Sequence, residues 1–442
     1  MTLAVTRAEQ FADLYAQGLK LLDDGKDDEA NALFYEAARL APEGWLALAI
    51  ELVKQNRHEE AIPRLAEVLK LTKNTVVRAS ALNQLGAITA HKGNIDAAER
   101  MFREAAQLAP QFADIHCNLG LVAQWRKDFT TAQRFLDRAL ARDPWHEQAQ
   151  FVRAMNHLLA GNYLQGFAEY ECRWRSKNNG LKKVVADCPE WNGHNGTRLY
   201  VYGEQGYGDS ILMLRYAREI KKRGLWLCWV AQKGLEPILQ TVPEIDRVLN
   251  IGEAFDDYDC HIPSVSLPHV FGTTLENIPP APYIPKPAGE SFGPGFHVGI
   301  VWRGSKAQTN DSIRSTSLKS WQPVLDVPGV TFHSLQAEDA DESLLYPQIV
   351  QHDKPPDFIT TARRVAACDL IISVDTSMVH LAGAMGVPCW CALHCRPYFV
   401  FPPKLGEVCP WYASVKLYRQ EKPFEWSGVF EQMANDLCKI KS

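Results

Sequence analysis

A glycine-rich stretch that ends in a carboxylate is the strongest candidate for chemistry in this sequence. Residues 199–202 are apolar and aromatic, which is typical of a buried strand, and Gly203, Gly206 and Gly208 follow them. Glycines permit a sharp turn and let the backbone approach a ligand closely. Apolar residues recur at helical spacing after Asp209. The order strand, loop and helix predicts that Asp209 lies at or near the N-terminus of a helix, at the crevice where open α/β sheets bind ligands.

Three interpretations of this stretch compete. A dinucleotide site would need G-x-G-x-x-G and an acidic residue after the next strand, but the order here is G-x-x-G-x-G and residues 225–231 lead to no such acid. Alternatively, Asp209 is only a helix cap and the glycines only form a turn. In the third interpretation, Asp209 is a catalytic base beside a phosphate-bearing substrate, and the rest of the chain must decide.

A second candidate site follows a buried strand later in the chain. Residues 370–374 predict that strand, and Asp375 is the predicted N-cap of a helix that begins at Thr376. The first amide groups of a helix lack partners and the helix dipole is positive there, so this end suits a diphosphate. We expect the amides of Thr376, Ser377 and Met378 to face that ligand. We also expect His380 to reach it, because His380 and Thr376 lie four residues apart on one helix face.

Cationic side chains after another predicted strand supply charge that a diphosphate would need. Arg303, Lys306 and Arg314 lie with several hydroxyl groups just beyond the apolar residues 296–302. Because such cations bind phosphate oxygens, the loop predicts a phosphate-binding element, with a solvated loop as the alternative. A Ser-His-Asp hydrolase would be a rival use of these residue types, but the chain contains no G-x-S-x-G turn.

Two groups of residues raise the question of a metal. Asp257 and Asp259 match the D-x-D pattern of some metal-dependent sugar transferases, although a turn or a local cap explains three residues equally well. Thiolates can hold zinc or iron, and four cysteines lie near one another in the chain, but their spacing differs from the usual C-x2-C. These are Cys389, Cys391, Cys395 and Cys409. The sequence leaves a structural metal there open and predicts no metal in the candidate site.

Length and composition limit the possible classes of protein. A chain of 442 residues predicts two or three domains, and a net charge of −5 argues against a nucleic-acid partner. No apolar run approaches the roughly 20 residues of a membrane span, and the first ten residues resemble no signal peptide. Eleven cysteines in such a chain fit reduced thiols. We therefore expect a cytoplasmic protein without a transmembrane segment.

The first 175 residues are repetitive with a period of 34. Small residues and a proline recur at that spacing: Gly86 as Gly120, Ala98 as Ala132, Ala105 as Ala139 and Pro110 as Pro144. This period and these positions are the tetratricopeptide signature. Such repeats stack into a curved solenoid with a concave surface. The surface could bind a peptide or protein partner, or it could serve as a docking or dimerisation scaffold, and the sequence does not separate the two.

Several motifs in order resemble one known family. Residues 203–209 with Arg215 and Tyr216, and residues 373–382, are similar to motifs of bacterial tetratricopeptide-repeat glycosyltransferases related to the heptosyltransferases of glycosyltransferase family 9. The resemblance spans residues 174–420. It implies a two-lobed, Rossmann-like GT-B fold and inverting, metal-independent sugar transfer. The chain departs from the family pattern in residues 394–401 and at Arg303.

The resemblance also assigns roles to the residues that match its motifs. It implies that Asp209 is the catalytic base and that the donor is a nucleotide-diphospho-sugar, with no cofactor. Donor binding falls to residues of the second motif: Asp375, Thr376, Ser377 and His380. The loop cations Arg303, Lys306 and Arg314 are expected to assist there. Gln205, Tyr207 and His261 are expected on the acceptor side, facing a protein, peptide or glycan.

These observations predict an α plus α/β protein with four parts. Residues 1–175 are the repeat solenoid, 176–197 a linker, 198–285 the lobe with the base, and 286–442 the donor lobe. The predicted function is sugar transfer to a hydroxyl, with acceptor or partner binding by the repeats. Two alternatives remain: a catalytically inactive repeat scaffold, and a nucleotide-sugar epimerase, which would leave the repeats unexplained.

Overall fold

A computed structural model describes most of the chain. The described residues are 6–40, 42–176, 181, 183–184, 187–194, 196–253, 256–306 and 311–440. The chain divides into two compact units, Met1–Asn156 and His157–Ser442. Of the predicted linker, residues 177–180, 182, 185–186 and 195 lie outside the described residues. The four-part division drawn from the sequence remains a prediction.

The N-terminal part of the chain is helical, as the repeat pattern predicts. Its helices are α1 (Arg7–Asp23), α2 (Asp27–Ala38), α3 (Pro42–Lys54), α4 (His58–Leu71), α5 (Thr75–His91), α6 (Ile95–Leu108), α7 (Ala113–Trp125), α8 (Phe129–Arg142) and α9 (Glu147–Leu159). Consecutive helices of the first unit pack against each other. Their buried faces carry the recurring alanines of the repeat, which lie in three successive hydrophobic clusters along the first unit.

The recurring glycine of the repeat makes room for a large side chain sixteen residues later. A Cβ atom on Gly86 would lie 2.6 Å from the Phe102 ring, and one on Gly120 would lie 2.7 Å from Leu136. Real Cβ atoms do not approach other atoms this closely, so the two helices can pack only with glycine at these positions.

The second unit begins with helical elements and a four-stranded parallel sheet. In chain order these are α10 (Tyr163–Tyr170), a 3-10 turn (Glu171–Trp174), β1 (Arg198–Tyr202), α11 (Tyr207–Met213), α12 (Tyr216–Lys222), β2 (Trp226–Ala231), α13 (Glu236–Leu239), β3 (Arg247–Asn250), β4 (Cys260–Pro263) and α14 (Leu267–Val270). The strand order is β3-β2-β1-β4, and every pair is parallel. The strands expected at 199–202 and 225–231 are therefore present as β1 and β2.

A six-stranded parallel sheet follows. Its elements are β5 (Phe296–Val301), α15 (Asp311–Arg314), α16 (Gln322–Leu325), β6 (Val330–Ser334), β7 (Ile349–Val350), α17 (Phe358–Ala367), β8 (Leu370–Val374), α18 (Ser377–Met385), β9 (Cys389–Leu393), β10 (Val415–Arg419) and α19 (Ser427–Ile440). The strand order is β10-β9-β8-β5-β6-β7. In this unit β1, β5 and β8 each lead into one of the loops that carry the predicted site residues. These loops follow the carboxyl ends of parallel strands, which is where open α/β sheets bind ligands.

Gly86→Val tests the packing of the repeats. The added side chain would overlap the Phe102 ring, so we expect a loss of about 2 kcal/mol or more in the free energy of unfolding, measured by denaturant titration.

A double-mutant cycle with Phe102→Ala supplies the control. Because the two substitutions act at one contact, the double variant should lose less than the sum of the single losses. Simple additivity would show that Gly86 and Phe102 do not constrain each other.

Candidate functional site

Asp209 lies in the first turn of α11, directly beyond the loop that follows β1. Its Oδ2 accepts a hydrogen bond of 3.1 Å from the backbone N–H of Gly206, the N-cap residue of the helix. The order strand, glycine loop and helix predicted for this stretch is therefore present. Asp209 as a residue is half-buried.

The surroundings of Asp209 make its carboxyl group a stronger base than usual. Burial, followed by the negative charges of Glu204 and Asp375, raises the pKa of Asp209 to about 7, against the opposing hydrogen bond from Gly206. Glu204 forms an ion pair of 3.1 Å with Arg173, and both side chains are 1% exposed. Ser264 also donates a hydrogen bond to Glu204. A general base works best with a pKa near the working pH, and Asp209 meets this condition.

The second predicted motif lies where β8 leads into α18, with one correction. The N-cap residue is Thr376 and not Asp375, so the helix begins at Ser377. The reason is local: Thr376 has extended backbone angles, and its hydroxyl accepts the N–H of Met378 at 3.2 Å. The amide of Met378 is therefore used within the cap and does not face a ligand, contrary to the prediction.

Gly208 brings the two motifs together. A Cβ atom on Gly208 would lie 2.8 Å from the imidazole of His380 and 3.6 Å from the Cα of Ser377. The start of α11, beyond the four-stranded sheet, thus touches the start of α18, beyond the six-stranded sheet. His380 is buried, and its Nδ1 lies 3.0 Å from the hydroxyl of Tyr412. Burial, assisted by the charge of Arg215, lowers the pKa of His380 to about 3, so its ring is neutral.

The three predicted loop cations have different positions. Arg314 donates from Nη1 to the backbone oxygen of Asp375 at 3.1 Å, and its guanidinium group lies where a Cβ on residue 304 would stand. Burial raises the pKa of Asp375 to about 6, and Arg314 opposes that change. Arg303 instead approaches Glu342 at 3.5 Å. Lys306, 72% exposed, pairs with an aspartate at position 339 at 2.7 Å. Arg314 is therefore the cation that joins the α18 motif.

The three residues expected on the acceptor side also separate. Gln205 lies in the loop before Asp209, and its Nε2 donates to the hydroxyl of Tyr170 at 3.2 Å. Tyr207 is 40% exposed and donates to the backbone of residue 233. His261 is buried on β4, where its backbone pairs with residues 189 and 191 and its ring lies beside Tyr202. Its contacts are thus with that segment and not with Asp209.

Several residues near Asp209 had no role in the sequence analysis. Glu204 lies between two glycines of the first motif, and Tyr170 and Arg173 belong to the degenerate end of the repeats. Only the partner of Glu204 would indicate that its charge is buried, and that partner, Arg173, lies 31 residues away in the sequence. Tyr398 falls in the segment that departs from the family pattern, where a motif comparison gives no role.

The residues considered for metal binding are engaged otherwise. Asp259 accepts hydrogen bonds from Thr197 and from the backbone of Arg198, and Asp257 pairs with the Arg198 side chain, so this segment forms a local cap. Cys389, Cys391 and Cys409 are buried thiols, and neither they nor Cys395 form a disulfide. Within the described part of the chain, no group of three or more histidine, cysteine or acidic residues has the arrangement of a metal site.

Comparison with known proteins identifies the repeats. A family model described as tetratricopeptide repeat matches residues 78–109. Protein FlbA of Caulobacter vibrioides (strain ATCC 19089 / CIP 103742 / CB 15) is 27% identical over 458 residues, covering 92% of this chain and 75% of its own. TTC0263, a thermophilic TPR protein in Thermus thermophilus, is 21% identical with a TM-score of 0.32, covering 38% of this chain and 93% of its own. The family-model match supports tetratricopeptide repeats in the N-terminal part of the chain.

One further solved structure is similar to part of this chain. MamA 41-end from Desulfovibrio magneticus RS-1 is 18% identical with a TM-score of 0.31, covering 40% of this chain and all of its own. Among the described helices, none is both long enough and apolar enough to cross a membrane.

Gly208→Ala tests the contact between the two motifs. The added methyl group would displace His380 and the first turn of α18, so we expect a loss of about 1 to 3 kcal/mol in unfolding free energy, measured by denaturant titration.

Gly428→Ala is the matched control, because a Cβ atom at Gly428 in α19 meets nothing within 4 Å. That variant should keep or slightly raise stability. If the two alanine variants have the same midpoint of unfolding by denaturant as the native protein, α11 and α18 are not packed as described.

Proposed function

We propose that this protein is a metal-independent, inverting glycosyltransferase that moves a sugar from a nucleotide-diphospho-sugar to a hydroxyl of a protein or glycan. The observation that carries the proposal is the carboxyl group of Asp209, with a pKa of about 7, beside the first turn of α18. In this proposal a base and an anion-binding helix end face one cleft. We also propose that the two parallel sheets are the lobes of a GT-B fold, in keeping with the family resemblance.

The reaction follows from these two groups. Asp209 takes the proton of the acceptor hydroxyl as its oxygen attacks the anomeric carbon of the donor. The bond from that carbon to the diphosphate breaks, and the electron pair leaves with the diphosphate. The base and the helix end belong to elements that follow different sheets, so they can approach the sugar from opposite faces. Attack by the acceptor on one face and departure of the diphosphate from the other inverts the anomeric centre.

The leaving diphosphate needs stabilisation without a metal. The amide of Ser377 at the positive end of α18 and the guanidinium group of Arg314 supply it. Fixed donors of this kind typically contribute about 3 kcal/mol each to lowering a barrier. The neutral ring of His380 adds a hydrogen-bonding group without adding charge.

A catalytically inactive repeat scaffold is the second candidate. It is favoured by the tetratricopeptide match, since repeats of this kind commonly provide surfaces for protein partners. In that case the α/β part would bind a nucleotide, or nothing, without turning it over. Asp209 argues for the enzyme, because a binding protein has no use for a carboxylate with a raised pKa.

Asp209→Asn should lower the turnover number by about 100-fold or more while nucleotide binding is retained, since it removes the base. In the native enzyme, kcat/KM should rise with pH through about 7 and then level off, because Asp209 must lose its proton. Asp128→Asn is the control: Asp128 also caps a helix, α8, through a hydrogen bond of 3.0 Å, and its replacement should leave turnover unchanged. Equal effects of the two variants would reduce Asp209 to a cap.

Stability gives a second measurement on Asp209. A carboxyl group whose pKa is raised in the folded state contributes stability below its unfolded pKa and loses it as pH rises through the folded pKa. The contribution of Asp209 should therefore disappear between about pH 4 and 7. The melting temperature of Asp209→Asn, relative to the native protein, should be higher at pH 8 than at pH 5, and the opposite order would contradict the raised pKa.

A thermal-shift screen tests the donor site. UDP, GDP, ADP, CDP and their hexose derivatives are compared in the presence of a chelator, and we expect at least one to raise the melting temperature. Arg314→Gln should weaken that shift, because Arg314 joins the α18 motif. Lys306→Ala should change it less, because Lys306 is exposed and pairs with Asp339. Strict dependence of binding on Mn²⁺ would contradict the metal-independent reaction.

A further inference from the structure

Three segments meet in a hydrogen-bonded cycle beside Asp209. Gln205, in the loop after β1, donates from Nε2 to the hydroxyl of Tyr170 at 3.2 Å. The hydroxyls of Tyr170 and Tyr398 lie 3.3 Å apart, and Tyr398 donates to Oε1 of Gln205 at 3.3 Å. Tyr170 is the last residue of α10, and Tyr398 follows β9. The cycle therefore joins the end of the repeat-like helices to loops beyond both sheets.

Helix α10 is held firmly where it supplies Tyr170. The hydroxyl of Tyr163 accepts the indole N–H of Trp411 at 2.9 Å and donates to the backbone of Phe399 at 3.2 Å. The ring of Phe167 packs edge-on against Phe399, with centroids 5.4 Å apart. Just beyond α10, the buried Arg173 pairs with the carboxylate of residue 204. Tyr170 is thus fixed from both ends of its segment.

The cycle lies close to the proposed base. Gln205 lies in the loop before α11, four residues before Asp209, which lies in the first turn of that helix. Burial raises the pKa of Tyr170 and of Tyr398, and the nearby negative charge of Asp209 adds to both increases. Both phenols therefore stay protonated at neutral pH and act as neutral hydrogen-bonding groups.

The chemistry of the cycle indicates what it can hold. It uses one of the two amide N–H groups of Gln205, and an alcohol that accepts a hydrogen bond from such an amide can give its own proton to Asp209. An anionic group would meet the negative charges of Asp209 and Asp375, and the nearby cation Arg173 is already paired with Glu204. A neutral hydroxyl compound suits this site and an anion does not.

We propose that Tyr170, supplied by the last repeat-like helix, is a positioning residue that orients Gln205 and Tyr398 to hold an uncharged, hydroxyl-bearing acceptor beside Asp209. The inference rests on the proposed function and adds to it the class of the acceptor. It also explains why α10 belongs to the same compact unit as the two sheets.

The test compares sugar transfer with donor hydrolysis, in which water replaces the acceptor. UDP-, GDP-, ADP- and CDP-hexoses serve as donors. Methyl β-D-glucoside and N-acetylserinamide are the neutral acceptor probes, and methyl β-D-glucuronide and N-acetylserine are their anionic counterparts. With the native enzyme, at least one neutral probe should accept sugar, with a kcat/KM at least about 10-fold above that of its anionic counterpart, the scale of one well-placed polar interaction.

Tyr170→Phe removes the hydroxyl that orients Gln205, so the ratio of transfer to hydrolysis should fall about 10-fold. Tyr418→Phe is the matched control, because it removes the hydroxyl of another buried tyrosine, one that donates to Asp436 and takes no part in the cycle or in holding α10, and it should leave the ratio as in the native enzyme. Tyr398→Phe reaches the cycle from the opposite side and should reproduce the effect of Tyr170→Phe. This second variant keeps the test decisive if Tyr170→Phe does not fold.

Three results would overturn the inference: a native ratio in both Tyr170→Phe and Tyr398→Phe, a preference for the anionic probes, or no transfer to either neutral probe while the donor is still hydrolysed. A failure of the proposed function looks different. The native protein would then consume none of the donors, with or without a probe, and the inference would fall with it.

Discussion

A buried arginine holds together the elements that form the candidate site. Arg215, between α11 and α12, is 1% exposed. It donates to the backbone oxygens of Pro279 and Trp411, each at 3.0 Å, and lies 4.9 Å from the ring centroids of Tyr283 and Tyr412. Among the described residues no carboxylate pairs with it, so carbonyl dipoles and aromatic faces balance its charge. This one side chain joins α11 to the connection between the two sheets, through Pro279, and to the segment after β9, through Trp411, so we expect the contact of Gly208 with His380 to depend on it.

The chemistry of the site depends on this close approach. With the start of α11 against α18, the carboxyl group of Asp209 is partly removed from water and lies near Glu204 and Asp375, and these effects raise its pKa. The same closeness keeps His380 neutral. If the two sheets moved apart, Asp209 would become an ordinary, weakly basic carboxylate. The basicity of Asp209 therefore depends on how closely the elements beyond the two sheets approach each other.

Local patterns predicted the parts of the structure that local forces determine. The apolar run at 370–374 is β8, and the glycine loop does lead into a helix at Asp209, because burial periodicity and turn residues act over a few positions. The helix cap was predicted at Asp375 but lies at Thr376, because the position of a cap depends on the backbone angles of one residue, and residue type alone does not determine those angles. The partners of Lys306 and Tyr170 lie 33 and 35 or more positions away, and no pattern in the sequence encodes such contacts. Which of the matched residues act together was therefore visible only in the structure.

The central claim is that the carboxyl group of Asp209 is poised as a base. It can be tested directly by ¹³C NMR of the side-chain carboxyl groups through a pH titration, with Asp209→Asn identifying the resonance. The account predicts a carboxyl signal that titrates near pH 7 and is absent from the variant. A signal for Asp209 that titrates near pH 4, as a solvated carboxyl does, would contradict it.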